Sequence, residues 1–295
     1  MNLCVCDDFS PVWPKMRWVA RASERLGWHA QCVQFEAQLI DAQNECAWVL
    51  FGQALPILAG GLTGIREKKR GPWICWIFDL VGHGLRNEFA RTFPWHLFDH
   101  AFLKTPDAIR HPSKHYLDQG APDWDCIMSP REWDVLVVGT WTDRRQRLAD
   151  MCGDAGLKTL TAGGGKWRES SGSQHLGWVT GDEGMHDLFS SAKCVLADNR
   201  VRVRGYWSDR VWLSLAAGTP CVHEAVQGID LPAGVLPWEQ EDTAVALCAA
   251  ICRDDLLWQK LSRDALTAAS HNRYSDRLLK INELVLNSVV PVSHA

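Results

Sequence analysis

A chain of 295 residues, 46% of them apolar, is long enough to bury a sizeable core and suits two domains of ordinary size. The formal net charge is -4, and charges of both signs are spread along the chain. The sequence therefore lacks the basic patch of a dedicated nucleic-acid-binding protein, which makes nucleic acid a less favoured partner without excluding it. No apolar run approaches the roughly 20 residues of a membrane-spanning helix.

The first half alternates short apolar strands with helical segments, which favours an α/β architecture with parallel sheets. Strands are predicted in NLCVC, HAQCVQF, AWVLFG, PWICWIFD and LFDHAFLK, and helices at about 13–27 and 54–65. Residues 105–132 are rich in proline and have no sustained period. This segment is therefore predicted to link two domains.

The second half opens a new β-α-β unit. The predicted segments are the strand WDVLVVGTW, the helix DRRQRLADMCGDAG, the strand LKTLTAG, the helix MHDLFSSA, the strands KCVLADN and PCVHE, and three helices between about 241 and 290. The predicted fold is α/β, with two Rossmann-like domains and a ligand cleft between them. We expect an N-terminal domain over 1–128, a C-terminal domain over 129–275, and a last helix over 276–295 that packs back on the N-terminal domain.

The eleven cysteines occur singly and mostly inside apolar runs, as small buried side chains do. No zinc-binding spacing is present. The odd number of cysteines, with no signal sequence, predicts a reducing environment and a cytoplasmic location.

The stretch GYWSDRVWLSLAAGTP is typical of an aromatic loop, a helix and a turn. Ser208 is predicted to be the N-cap of this helix, with Arg210 in its first turn. A cation in the first turn opposes the helix dipole unless an anion compensates it. Three further arginines lie just upstream, so the segment predicts a phosphate site, with a structural arginine cluster as the alternative.

A second phosphate site is predicted in VVGTWTDRRQR. A glycine turn after an apolar strand lets backbone N–H groups approach a ligand, and Arg144 or Arg145 in the next helix could reach a phosphate oxygen. The spacing matches neither the dinucleotide-binding motif nor the P-loop. The nearby GGGKWRESSGS is predicted to be a flexible loop.

These segments resemble the donor-binding region of the GT-B glycosyltransferases, in particular the bacterial and phage group related to the spore-maturation glycosyltransferases. WSDRVW followed by LAAGTPCV is similar to that group's Tyr-Trp-Ser-Asp/Asn-Arg-Val-Tyr pattern and its Ala-Gly turn. VLVVGTWTDRRQRLADM, KCVLADN, LFDHAFLKTPD and HYLDQGAPD resemble the same group. The resemblance covers about residues 70–280 and is strongest in the C-terminal half.

The resemblance implies that the C-terminal domain binds a nucleotide sugar, with a UDP-sugar as the expected co-substrate. The glycine turn, the serine and the two arginines would meet the diphosphate, the Asp-Asn pair would face the sugar, and the two aromatic residues would contact the base or the sugar. The residues implied are Gly139, Thr140, Arg144, Asp198, Asn199, Tyr206, Trp207, Ser208 and Arg210. Relatives often hold the donor ribose with a glutamate where this chain has Leu213, so Glu224 is a candidate for that role.

Candidate catalytic groups for the acceptor follow the strand PWICWIFD. Asp79 ends this strand, and His83 lies between two glycines, which suggests a loop close to the ligand. A helix cap at Asp79 and an ordinary exposed histidine at His83 are the alternatives.

The sequence therefore predicts a hexosyltransferase-like GT-B enzyme that needs no metal and no cofactor besides the nucleotide sugar, because arginines meet the charge of the leaving diphosphate. The favoured interpretation is that the acceptor is a saccharide or another small molecule. DNA with hydroxymethylated bases is the second acceptor, since aromatic side chains can stack on bases. A sugar-nucleotide epimerase that uses His223 and Glu224, and a non-catalytic sugar-nucleotide binder, are the alternative functions.

Overall fold

The structure is a computed structural model that describes residues 1–6, 15–34, 36–42, 45–52, 59–67, 71–78, 87–105, 107, 109–125, 131–170, 172–200 and 202–289. The described residues form two compact units. The first unit contains the described residues up to Asp123 and those from Arg273 onward, and the second contains Trp124–Asn272.

The first unit is built on a parallel sheet. Its elements before residue 124 are β1 (Asn2–Cys6), α1 (Lys15–Arg25), β2 (His29–Val33), α2 (Glu36–Ala42), β3 (Trp48–Phe51), α3 (Ala59–Arg66), β4 (Trp73–Ile77), α4 (Asn87–Thr92), a 3-10 helix (Trp95–Leu97), β5 (His100–Leu103) and β6 (Lys114–Tyr116). The strand order is β2-β1-β3-β4-β5-β6. The strands β1, β3, β4 and β5 are buried along almost their whole length, as expected for a parallel sheet that is covered on both faces.

Aromatic rings form much of the core of the first unit. The ring of Phe51 lies 4.9 Å from that of Trp73 and 5.2 Å from that of Phe98, measured between centroids. Pairs at these distances add to the stabilisation that burial provides. Several of the sixteen tryptophans therefore have a packing role.

The second unit is built on another parallel sheet. Its elements are β7 (Trp133–Val138), α5 (Asp143–Asp154), β8 (Thr159–Ala162), β9 (Ser173–His175), α6 (Asp182–Ser190), β10 (Ala192–Ala197), α7 (Arg210–Ala216), β11 (Cys221–Glu224), β12 (Val235–Trp238), α8 (Glu241–Arg253) and α9 (Asp255–Ser270). The strand order is β12-β11-β10-β7-β8-β9. The last helix, α10 (Tyr274–Val289), returns to the first unit, where Tyr274 packs against Trp18 of α1 with ring centroids 6.1 Å apart.

The two parallel sheets confirm the predicted α/β fold class. Three short strands were not predicted: β6 lies inside the proposed linker, β9 begins where the glycine-rich loop was expected to continue, and β12 follows β11. The described cysteines are free thiols. Within the described ranges, no helix is both long and apolar enough to cross a bilayer.

Candidate functional site

The strand order of the second unit reverses at β7. From β7 the chain proceeds to β8 on one side, and it returns through β10 on the other. In open parallel sheets, ligands bind outside the carboxyl ends of the strands at such a point of reversal. Here β7 ends in Val138 and is followed by Gly139, and β10 ends in Ala197 and is followed by Asp198 and Asn199.

Arg210 forms hydrogen bonds to the ends of both strands. It is the first residue of α7, it is 7% exposed, and its Nη1 and Nη2 donate to the carbonyls of Val138 and Asp198, each at 2.7 Å. Its Nε donates to Ser208 Oγ, also at 2.7 Å. These contacts fix the guanidinium at the point where the sheet reverses.

Arg145 places a second guanidinium beside the first. It lies in the first turn of α5, where Thr142 caps the helix by accepting a hydrogen bond from the Arg145 N–H. Its Nε donates to Asp198 Oδ1 at 2.6 Å, and its Nη1 donates to the carbonyl of Thr140 at 2.6 Å. A guanidinium has five N–H groups, and the bonds described here use two of them in Arg145 and three in Arg210.

The buried charges at this site do not cancel, because two guanidiniums share one carboxylate. Burial, followed by the charge of Arg210, lowers the pKa of Arg145 to about 10. Burial acts to raise the pKa of Asp198, but the charges of Arg145 and Arg210 outweigh it and hold the pKa below its usual value. The site therefore has a net positive charge, which favours an anionic ligand.

Gly139 keeps the space between the two guanidiniums open. Its φ is +134°, a conformation that side chains rarely allow. A Cβ at this position would lie 2.7 Å from Arg210 Nη1 and 2.8 Å from Arg145 Nη1. Only glycine lets the turn approach both cations, so we name Gly139, Arg145 and Arg210 the phosphate turn.

A polar cavity of about 540 Å³ lies at the carboxyl ends of β10, β11 and β12, and its lining residue Asn199 directly follows Asp198, which binds Arg145. Asn199, Glu224 and Trp238, which follow or end these strands, are among its lining residues. The side-chain oxygen of Asn199 is buried and has no hydrogen-bond partner among the described residues. Such an atom needs a polar group to approach it, since an unsatisfied buried acceptor costs about 1–3 kcal/mol.

Arg144, which the resemblance assigned to the diphosphate, is engaged elsewhere. Its guanidinium makes a bidentate pair with Glu224 at 2.9 and 3.1 Å and a further bond of 3.2 Å to Glu241. Arg202 also contacts Glu224, at 2.6 Å. The residues alone allowed either Arg144 or Arg145 to reach a phosphate, and it is Arg145 whose side chain faces Gly139.

Three other predicted donor residues are placed as follows. Ser208 is not the N-cap: α7 begins at Arg210, the cap position is Asp209, and Ser208 Oγ accepts a bond of 3.2 Å from the Arg210 N–H. Trp207 is 8% exposed and packs edge-on against Trp212, which does not favour contact with a ligand. Tyr206 is half-buried.

Three predicted positions remain. Thr140 is exposed directly after Gly139, and its carbonyl accepts from Arg145. Asp79 and His83, predicted to serve the acceptor, lie outside the described residues.

The architecture matches solved glycosyltransferase structures. An alpha-glucosyltransferase in complex with UDP and a 13-mer DNA containing a central A:G mismatch superposes with a TM-score of 0.69, at 10% identity over 97% of this chain and 100% of that chain. HepE from Anabaena, in complex with UDP and glucose, gives 0.62 at 10% identity over 98% and 99%. The chain has the GT-B fold. AviGT4, a glycosyltransferase of avilamycin A biosynthesis, gives 0.59 at 12% identity over 97% and 98%.

No family model and no curated protein matches the sequence. At identities of 10–12%, the GT-B likeness is one of fold. The chemistry of this chain must therefore be argued from its own residues.

Proposed function

We propose that this GT-B chain is a glycosyltransferase that moves a sugar from a nucleotide sugar, with UDP as the expected nucleotide, to a hydroxyl acceptor. The observation that carries the proposal is the phosphate turn, where two buried guanidiniums flank a glycine at the reversal of the sheet. Among GT-B enzymes, the segment WSDRVW supports the group related to the spore-maturation glycosyltransferases.

The reaction needs positive charge at this place. The bond between the anomeric carbon of the sugar and the oxygen of the β-phosphate breaks, and that oxygen gains negative charge as the nucleoside diphosphate leaves. A new bond forms from the anomeric carbon to the acceptor oxygen, whose proton passes to a base. Arg145 and Arg210 are already oriented by their bonds to Asp198 and to backbone carbonyls, so they stabilise the leaving group without reorganisation.

The cavity beside the turn suits the transferred sugar. Asn199 has a free side-chain oxygen for a sugar hydroxyl, and Gln227 adds a polar side chain to the lining. Glu224 is held by two arginines, which leaves it a weaker candidate for direct contact with a ribose. In the acceptor half of the reaction, Asp79 and His83 remain the proposed catalytic groups.

The acceptor is proposed to be a saccharide or a DNA base that bears a hydroxymethyl group. DNA as the acceptor is supported by the glucosyltransferase solved with UDP and DNA, whose whole length this chain matches. The epimerase alternative loses support because His223 is completely buried, with 0% of its surface exposed, and cannot touch a substrate.

The test is release of nucleoside diphosphate from a panel of nucleotide sugars in EDTA, without acceptor and then with saccharides or hydroxymethylated DNA. Arg210→Lys keeps the charge but loses the fork that joins Val138 to Asp198, and it is expected to reduce kcat by about 100-fold. Arg147→Ala is the matched control, because Arg147 lies on the same helix as Arg145 but is exposed and pairs with Glu241.

Turnover of one donor class by the wild type and by Arg147→Ala, with Arg210→Lys impaired but equally stable to heat, supports the proposal. Binding of a nucleotide sugar without turnover in the presence of any acceptor supports the non-catalytic binder. If no nucleotide sugar is turned over and none raises the melting temperature, the phosphate turn serves another anion and the proposal fails.

A further inference from the structure

The polar cavity at the carboxyl ends of β10, β11 and β12 is lined by an arginine that no carboxylate of the described residues neutralises. This residue is Arg204, which lies in the loop before α7. Within the described part of the chain, its side chain forms no ion pair and no hydrogen bond. Glu239 lines the same cavity after β12, but it is exposed and is not paired with Arg204. Arg204 therefore presents an uncompensated positive charge to the cavity.

Glu224, the buried carboxylate of the cavity, is already neutralised by other cations. It is 5% exposed, and its oxygens accept two bonds from Arg144, at 2.9 and 3.1 Å. Arg202 contacts the same carboxylate at 2.6 Å, and the backbone N–H of Asn199 donates to it at 3.0 Å. Because two guanidiniums and an N–H share this one carboxylate, its charge does not serve a third cation. The counter-charge of Arg204 must come from solvent or from a ligand.

The Arg204 side chain has a fixed position against a glycine. A Cβ on Gly228 would lie 2.6 Å from Arg204 Nε and 2.8 Å from its Cγ, so the side chain lies directly on the Gly228 backbone. The φ of Gly228 is +82°, a conformation that favours glycine. The N–H of Gly205 donates at 2.9 Å to the carbonyl of Gln227. These contacts join the loop before α7 to the loop after β11 and hold the arginine at the wall of the cavity.

Asn199 supplies a neutral polar group to the same cavity. It directly follows Asp198 at the end of β10 and is 6% exposed, and its side-chain oxygen has no hydrogen-bond partner among the described residues. A buried acceptor of this kind needs a donor, and a sugar hydroxyl is one. The cavity thus combines an acceptor that suits hydroxyl groups with a cation that suits an anion.

We propose that Arg204 selects a nucleotide sugar whose transferred sugar is a uronic acid, an inference that rests on the proposed function. A guanidinium forms two parallel hydrogen bonds with a carboxylate, and a uronic acid has this carboxylate on a ring whose hydroxyl groups suit Asn199. One uncompensated cation matches the single charge of a carboxylate better than the nearly two charges of a phosphate ester, which favours a uronic acid over a phosphorylated sugar. A neutral hexose would leave Arg204 without a counter-charge.

The test compares donors that differ in one group on the sugar. UDP-glucuronic acid and UDP-galacturonic acid have a carboxylate where UDP-glucose and UDP-galactose have a hydroxymethyl group. The Kd of each donor and of UDP is measured by calorimetric titration on the wild type, Arg204→Gln, Arg204→Lys and the control Arg263→Gln. Arg263 is an exposed arginine of α9 that does not belong to the cavity lining.

The wild type is expected to bind one uronic acid donor about 10-fold or more tightly than the matching neutral donor. Arg204→Gln should raise the Kd of that acidic donor by roughly 10- to 100-fold, the range for loss of hydrogen bonds between charged groups, and leave the Kd of the neutral donor and of UDP unchanged. Arg204→Lys should keep part of the preference, because it retains the charge without the fork. Arg263→Gln should bind every ligand as the wild type does.

The outcomes separate this inference from the proposed function. Binding of both uronic acid donors no tighter than that of the neutral donors overturns the inference and leaves the donor site intact. Weaker binding of UDP itself by Arg204→Gln assigns this arginine to the diphosphate and also overturns it. A preference for the acidic donor that Arg204→Gln retains in full shows that another residue selects the sugar. If the wild type binds neither UDP nor any UDP-sugar, the proposed function, with UDP as its nucleotide, fails.

Discussion

The substitution Gly139→Ala tests the phosphate turn most directly. At φ +134° an alanine costs about 1–3 kcal/mol in backbone strain. Its methyl group would also stand 2.7 Å from Arg210 Nη1 and 2.8 Å from Arg145 Nη1, so both guanidiniums must move away. Each movement strains a bond of 2.6–2.7 Å to a backbone carbonyl, and hydrogen bonds of charged groups contribute about 1.5–3 kcal/mol each.

We therefore expect the free energy of unfolding of Gly139→Ala to fall by about 3 kcal/mol, measured by urea denaturation. We also expect kcat/KM for the nucleotide sugar to fall by about 100-fold, because a displacement of ~1 Å at a positioning group has an effect of this size. Nucleoside diphosphate release is measured at a temperature at which the variant is folded.

Gly156→Ala is the matched control. Gly156 follows α5 with φ +78°, and a Cβ there would meet no atom within 4 Å. An alanine at this position also has backbone strain, so the free energy of unfolding should fall by about 1 kcal/mol. The kcat/KM of Gly156→Ala should stay at the wild-type value. If the two variants have the same kcat/KM, the guanidiniums beside Gly139 do not contact the donor, and the reasoning is refuted.

Three further predictions concern pH, stability and metal. Burial lowers the pKa of His223 to about 4 from its ordinary 6.5, so the unfolded chain takes up a proton that the folded chain resists. The free energy of unfolding should therefore fall by up to about 3 kcal/mol as the pH drops from 6.5 to 4. The variant His223→Gln should show a smaller fall over the same pH range. An equal fall in the variant would contradict the assignment of this pH dependence to His223. Arg131 donates to the carbonyls of Ala217 and Gly218 after the end of α7. Arg131→Met should therefore lower the free energy of unfolding, measured by urea denaturation, by about 2–4 kcal/mol. The control Arg253→Met, at an exposed arginine, should lower it by less than about 1 kcal/mol. Donor turnover should be the same in EDTA as in Mg²⁺, since the guanidiniums supply the positive charge, and a loss of turnover on chelation would contradict this.

The sequence alone determined the architecture and the strands that carry the site. Apolar runs such as WDVLVV and KCVLA are buried on both faces, which is why they could be recognised as parallel strands without the structure. The short strand β6 has the polar sequence KHY and lacks that signal, so it was placed in a linker. It is identified by its pairing with the preceding strand β5, where Lys114 lies opposite Ala101, and not by a pattern of its own.

Within the candidate site, the sequence pointed to Gly139, Asp198 and Arg210, because each directly follows a strand or opens a helix, and the structure brings these three residues together. The residues alone left Arg144 and Arg145 open, and the resemblance implied Arg144, whereas Arg145 is the one that lies against Gly139. Adjacent residues on a helix point about 100° apart, and which one faces Gly139 depends on where Glu224 and Asp198 lie in the folded sheet.

Only the tertiary structure decided the roles of the aromatic residues. Trp207 lies between Tyr206 and Ser208, and Trp178 lies between Gly177 and Val179. Neither local sequence shows which of the two rings is buried. Packing buries Trp207 against Trp212, whereas Trp178 remains 53% exposed after β9. The local pattern specifies strands, helices and turns because it acts between near neighbours. The choice of which side chain remains available to a ligand is made by contacts between segments far apart in the chain.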